Sequence, residues 1–222
     1  MRIGYLIEHG AIRFDAALQE MAADEIKEMV GESTLNRLRA GDPSPLIKAF
    51  VVGHEGESKG NLVGFGNVIK RWLKTMIRAL GSKIKAGLQL FHGHADTNSH
   101  EGRVSIGEVV GTKLKEIDGR ESVIVACHIK PEFKNLPLDV ASVETTVDYK
   151  QNPDGTLEIL GVSDVTGIAL GNSRLQTPGF PGATLLGQLQ AFESAHKTES
   201  ESRLRLGYAN NKMGQPPKIR LA

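Results

Sequence analysis

The sequence predicts an α+β protein with a small, mostly antiparallel β-barrel or sheet core and flanking helices. Three observations carry that expectation. From residue 87 to residue 170, runs rich in β-branched residues follow one another with turns and no helix between them, which argues for antiparallel pairing and against a doubly wound sheet. Apolar residues at helical spacing are concentrated in residues 14–38 and 68–85, so helices flank the strands. Glycine supplies 25 of 222 residues, above the usual fraction of about 7%, which calls for many turns and short elements.

Along the chain, Leu18, Met21, Ala22, Ile26, Met29 and Val30 place one apolar face on a helix over Phe14–Leu38, with a break at Gly31. Gly41-Asp42-Pro43-Ser44-Pro45 stops it. Residues 1–45 therefore read as an N-terminal helical segment, residues 46–195 as the core, and residues 196–222 as a polar, mobile tail. Leu46–Val52 is a strand and Gly53–Gly60 a polar, glycine-bounded loop. Val68, Ile69, Trp72, Leu73, Met76, Ile77, Leu80 and Ile84 predict one amphipathic helix over residues 68–85. Its other face carries Lys70, Arg71, Lys74, Arg78, Lys83 and Lys85. Strands are then expected at 87–91, 104–115, 122–129, 140–149 and 157–170. Asn152-Pro153-Asp154-Gly155 makes a hairpin of the last two. Pro178–Gly182 is a rigid turn, followed by a short helix over residues 183–195.

Composition removes several classes. Lys and Arg total 27 and Asp and Glu 26, a net charge of +1, so no global field favours a nucleic-acid partner. No run approaches the roughly 18 apolar residues of a membrane span. Arg2, Glu8 and His9 interrupt the apolar run that an export signal needs, and the chain is expected to act where it is made. The single cysteine, Cys127, forms no intramolecular disulfide and sits in an apolar run that reads as a core strand.

Two places carry candidate chemistry. Residues 91–100 hold His92, His94 and His100, three of the seven histidines, just after a predicted strand. If the strand continues, His92 and His94 share a face. Two imidazoles on one face suit a divalent metal, and one at a strand end suits a general base. His92-x-His94-x-Asp96 resembles the start of the HxHxDH motif of metallo-β-lactamase-type hydrolases, but Thr97 stands where that motif needs His. The second place is the strand holding Ser142 and Glu144, which share a face. A hydroxyl needs a base to become a nucleophile, and His94 is the candidate. No GxSxG elbow is present.

The order of a His-bearing loop, then Gly102-Arg103-Val104-Ser105-Ile106-Gly107-Glu108-Val109-Val110, then Ala141-Ser142-Val143-Glu144, resembles the prohead (capsid maturation) proteases of tailed bacteriophages. That family is similar in fold to herpesvirus assemblin. Val165–Ser173 and Pro178–Gly182 also resemble the segment that follows its nucleophile strand. The resemblance spans residues 46–190 and implies Ser142 as nucleophile and His94 as base, with His92 the alternative and His100 further from the pattern. Glu144 is the candidate third member, with Asp96, Asp148 and His128 left open. Backbone N–H groups of Gly171–Arg174 are the candidate oxyanion hole. The implied protein is a serine endopeptidase without metal or organic cofactor. Its substrates are scaffold, major capsid protein and itself, and it works inside the assembling prohead in the host cytoplasm. Two rival readings come from other classes: a metal-dependent hydrolase using His92, His94 and Asp96, and a non-enzymatic scaffold or capsid-binding protein.

Overall fold

The structure, a computed structural model, describes residues 2–7, 21–62, 66–94, 102–174, 179–180 and 183–190. Ten strands, three α-helices and one short 3-10 helix (Pro131–Phe133) occur among them: β1 (Arg2–Ile7), α1 (Ala23–Val30), α2 (Glu32–Gly41), β2 (Leu46–His54), β3 (Gly56–Leu62), β4 (Gly66–Trp72), α3 (Lys74–Lys83), β5 (Gln89–His92), β6 (Ser105–Ile117), β7 (Arg120–Ile129), β8 (Val140–Gln151), β9 (Leu157–Gly171) and β10 (Leu185–Gln190). All belong to one unit, Met1–Ala191. The expected polar tail, residues 196–222, lies outside the described residues.

The strands form one sheet in the order β10-β2-β7-β6-β5-β9-β4-β3-β1-β8, with β8 also paired to β9. Pairing is antiparallel except at β4–β9 and β5–β9. The fold is α+β with a strand-rich mixed sheet. The barrel alternative is corrected: the sheet is not closed into one, and β10 at its end pairs only with β2 among the described residues. The length of β9 explains the branching. Its start pairs with β4, its end with β5, and nearly its whole length with β8. Three register shifts in the β8–β9 ladder leave Leu160, Ser163 and Thr166 of β9 without an opposite residue, as β-bulges do.

Each sheet face has a core. One gathers Phe50, Trp72, Leu80, Leu90, Val143 and Ile168. The other sets Ile26, Leu35 and Leu38 of α1 and α2 against Ile47, Ala49, Ile124 and Ala126. β2 is buried on both faces, which is why its sequence is a nearly unbroken apolar run. Burying each large side chain such as Leu35 contributes about 2 kcal/mol of transfer free energy. The helix break falls at Gly31, whose φ of 79° suits a residue without Cβ. Cys127 is fully buried, and burial pushes its thiol pKa well up, so it is a core residue with no thiolate to offer.

Four expectations are corrected. Residues 1–45 are not helical throughout, because Arg2–Ile7 is strand and pairs with β3 and β8. Residues 53–60 are not a loop: β3 begins at Gly56 and pairs along β4, with Ser58 buried and accepting a 2.9 Å hydrogen bond from the Trp72 indole N–H. The helix predicted over residues 68–85 is strand up to Trp72 and helix only from Lys74. Lys70 and Trp72 alternate onto the buried side, a period of two that the helical spacing concealed. Lys70 is thus fully buried, and Arg71 meets Glu57 and Asp154 while Arg78 meets Glu121. The predicted basic face is not one stripe. Finally, Leu185–Gln190 is a strand paired with β2, not a helix; residues 191–195 are outside the described set.

Gly107 exposes how closely β6 and β7 approach. A Cβ there would stand 2.0 Å from the His128 carbonyl oxygen, and backbone cannot step aside as a side chain can. Gly107→Ala is expected to cost about 3 kcal/mol and to lower the thermal unfolding midpoint by about 6–12 °C. Circular dichroism melting checks this; a midpoint within about 2 °C of the native chain would refute the contact.

Candidate active site

β8 sets out the site by simple alternation. Ala141, Val143, Val147 and Tyr149 enter the first core, so Ser142 and Glu144 lie on the opposite face. Ser142 pairs with Ala169 and Ala169 with Phe91, giving one row of side chains across β8, β9 and β5. The neighbouring row pairs Glu144 with Gly167. The partners on β9 are small, and this leaves room above the sheet for longer side chains from elsewhere. A β9 bulge falls beside Glu144, where the extra residue, Thr166, donates its hydroxyl to the Glu144 carbonyl at 3.3 Å.

His94 reaches this face because the strand does not continue through Gly93. β5 ends at His92, and Gly93 takes φ 73° while donating its N–H to the Leu170 carbonyl at 2.9 Å. Leu90 faces the first core, so His92 has the same parity and is exposed at the strand end. The left-handed turn at Gly93 breaks that parity. His94 Nδ1 lies 3.0 Å from Glu144 Oε1, with side-chain exposures of 7% and 0%. The expectation that His92 and His94 share a face is therefore corrected: the imidazoles diverge.

Arg103, just before β6, completes the cluster and was not singled out as a site residue from sequence. Its Nη1 donates to both oxygens of Glu144, at 3.1 and 3.0 Å, and its Nη2 donates to the Gly93 carbonyl at 2.6 Å. The guanidinium carbon sits 4.0 Å from the centre of the Phe91 ring, a cation–π arrangement. No spacing rule links position 103 to position 144; their meeting depends on the order β6-β5-β9 and the β8–β9 pairing. The readable trace was an arginine beside Gly102 at the mouth of a strand.

Electrostatics favour an ionised carboxylate here. Burial opposes charge on Glu144, but the hydrogen bonds it accepts from His94 and Arg103, with the guanidinium charge beside it, outweigh it and hold the group below its ordinary value of 4.5. An ionised carboxylate only accepts hydrogen bonds, so Nδ1 of His94 carries the proton toward Glu144. Nε2 is then the basic nitrogen. Ser142 is 6% exposed and occupies the same face, one pleat from Glu144.

The remaining sequence candidates lie elsewhere. Asp148 is four residues further along β8, against Gly161. His128 is 3.6 Å from Asp42 in a separate group that includes Lys134. Asp96 and His100 fall outside the described residues. Among the described residues no cluster of three His, Cys, Asp or Glu side chains is placed to hold a metal ion. The oxyanion assignment is corrected at two amides: Ser173 N–H donates to Asp139 at 2.6 Å and Arg174 N–H to Asn172 at 2.8 Å. That loop instead anchors the start of β8, where Asp139 N–H donates to Gly171. No family model, no curated protein and no solved structure matches this chain.

Proposed function

We propose that the chain is a serine endopeptidase of the phage prohead type, with an assemblin-like core, that cleaves scaffold and major capsid proteins and itself during head maturation. The observation that carries this reading is the buried bond between His94 and Glu144 on the face of β8 that bears Ser142. Glu144 fixes the imidazole tautomer and orientation. Nε2 takes the Ser142 hydroxyl proton as Oγ attacks the scissile carbonyl carbon, and gives that proton to the leaving amine. Water, deprotonated by the same nitrogen, then hydrolyses the acyl-enzyme. The substrates and the location inside the prohead in the host cytoplasm follow from the sequence resemblance, and self-association is proposed beside them. No described helix is long and apolar enough to cross a membrane.

The test needs no natural substrate. An alkyl fluorophosphonate should add one phosphonyl group per chain, mapped by mass spectrometry to Ser142. The rate should be unchanged by a metal chelator and should collapse in His94→Ala. Labelling that requires metal would favour the metal-dependent hydrolase. No labelling of a folded chain would favour the non-enzymatic scaffold or capsid-binding protein.

A further inference from the structure

A carboxylate fully shielded from water beside a buried imidazole poses a problem of charge. Left alone, Glu144 would draw a second proton onto His94, because a buried anion is stabilised most by an adjacent cation. An imidazolium has no lone pair with which to take the proton of Ser142. The cluster holds another cation for that anion: Arg103 Nη1 lies 3.1 and 3.0 Å from the two carboxylate oxygens. The guanidinium is itself held, by the Gly93 carbonyl and by the Phe91 ring, so it is fixed on the residue preceding His94 as well as on Glu144.

We propose that Arg103 is a positioning residue that keeps His94 uncharged: it balances Glu144 as a guanidinium–carboxylate pair, so the imidazole donates Nδ1–H to Glu144 and keeps Nε2 as a base. This deepens the protease reading and rests on it for the role of Nε2, but the charge state of His94 is measurable without any catalysis. Among the described residues, Glu144 on β8 is the charged group that meets this imidazole, and Arg103 before β6 is the charged group that meets Glu144. From β9 the nearby Thr166 is neutral, and His92 of β5 has the parity of the other sheet face. Asp96, His100 and Glu101 lie outside the described residues.

The sign follows from Coulomb's law. Removing a positive charge from the cluster favours the protonated imidazole, so its titration midpoint rises. The experiment follows the imidazole 15N resonances of His94 in the full chain from pH 5 to pH 9, assigned with His94→Gln. The native protein should show a neutral, Nδ1-protonated ring at pH 7.5. Arg103→Met should raise the midpoint by about one pH unit, a tenfold change in the proton equilibrium. Arg103→Lys, which keeps the charge, should stay near the native midpoint. A native His94 already charged at pH 7.5 overturns the proposal, and that result needs no variant to fold. So does Arg103→Met leaving the midpoint in place, or Met and Lys moving it alike. Fluorophosphonate labelling is run in parallel: if Ser142 never reacts while His94 titrates as expected, the protease reading fails and the charge assignment stands.

Discussion

Ser142→Ala is expected to lower cleavage of co-expressed scaffold and major capsid protein by about a million-fold, the scale on which loss of a nucleophile removes covalent catalysis, while leaving the fold intact. The second half is what distinguishes a nucleophile from a structural hydroxyl. Ser142 is the third residue of β8 and lies in the β8–β9 ladder opposite Ala169, and its backbone pairing does not depend on its side chain. Alanine fits the same space, so a change of less than about 1 kcal/mol is expected, within the range of mild substitutions. Gel and mass-spectrometric mapping of the products reads the activity, and thermal unfolding reads the stability. Cleavage at native rates would remove the central claim. Loss of cleavage together with a midpoint several degrees lower would recast Ser142 as a packing residue. His94→Ala should lose activity on a similar scale, because without a base the hydroxyl keeps its proton.

The parts of the molecule that were legible in sequence share one property: their pattern is local. β8 alternates with period two, β9 is a run of β-branched and apolar residues, and the turn between them at Asn152–Gly155, where Asn152 N–H donates to Thr156 and Gly155 takes φ 83°, is local, so both strands and their hairpin could be read directly. Ser142 and Glu144 share a face for the same reason. The misread parts depend on contacts distant in sequence. Val68, Ile69, Trp72 and Leu73 fit a helix as well as a strand ending at Trp72; pairing with β3 and β9 decides between them. Residues 185–190 become strand because β2 offers an edge, and Gly187 lets the chain leading into α1 lie close against that strand, since a Cβ there would lie 2.3 Å from the Met21 carbonyl oxygen. Within the site, one glycine was decisive. Counting by twos from His92 to His94 predicts one face, and the positive φ of Gly93 sends the second imidazole to the other. Arg103 left only the trace of an arginine at the mouth of a strand, because its partner is 41 residues away in sequence.

Glu144→Gln preserves shape and should damage activity and stability together. In the native site both carboxylate oxygens accept from Arg103, and Oε1 also accepts from His94. An amide offers one oxygen and one NH2. With its oxygen toward His94, the NH2 faces the guanidinium donor; turned over, it faces Nδ1 and forces the imidazole into the opposite tautomer. Either arrangement leaves a buried donor against a donor and a guanidinium without its anion. Cleavage is expected to fall about 10,000-fold, the cost of a wrong tautomer in a related arrangement. Stability should fall by about 3 kcal/mol, the lower end for breaking a buried pair, because Arg103 retains 14% side-chain exposure and is partly solvated. Acid provides an internal control. The Glu144 carboxyl is depressed in the folded chain, so its contribution is fully present above the ordinary carboxyl value of 4.5 and is lost as pH falls through the lower folded value. Chemical denaturation of the native chain and of Glu144→Gln should therefore differ most near pH 7 and converge progressively below pH 4.5. A stability gap of the same size at pH 7 and pH 3 would mean that the ionised carboxylate is not what holds His94 and Arg103 together.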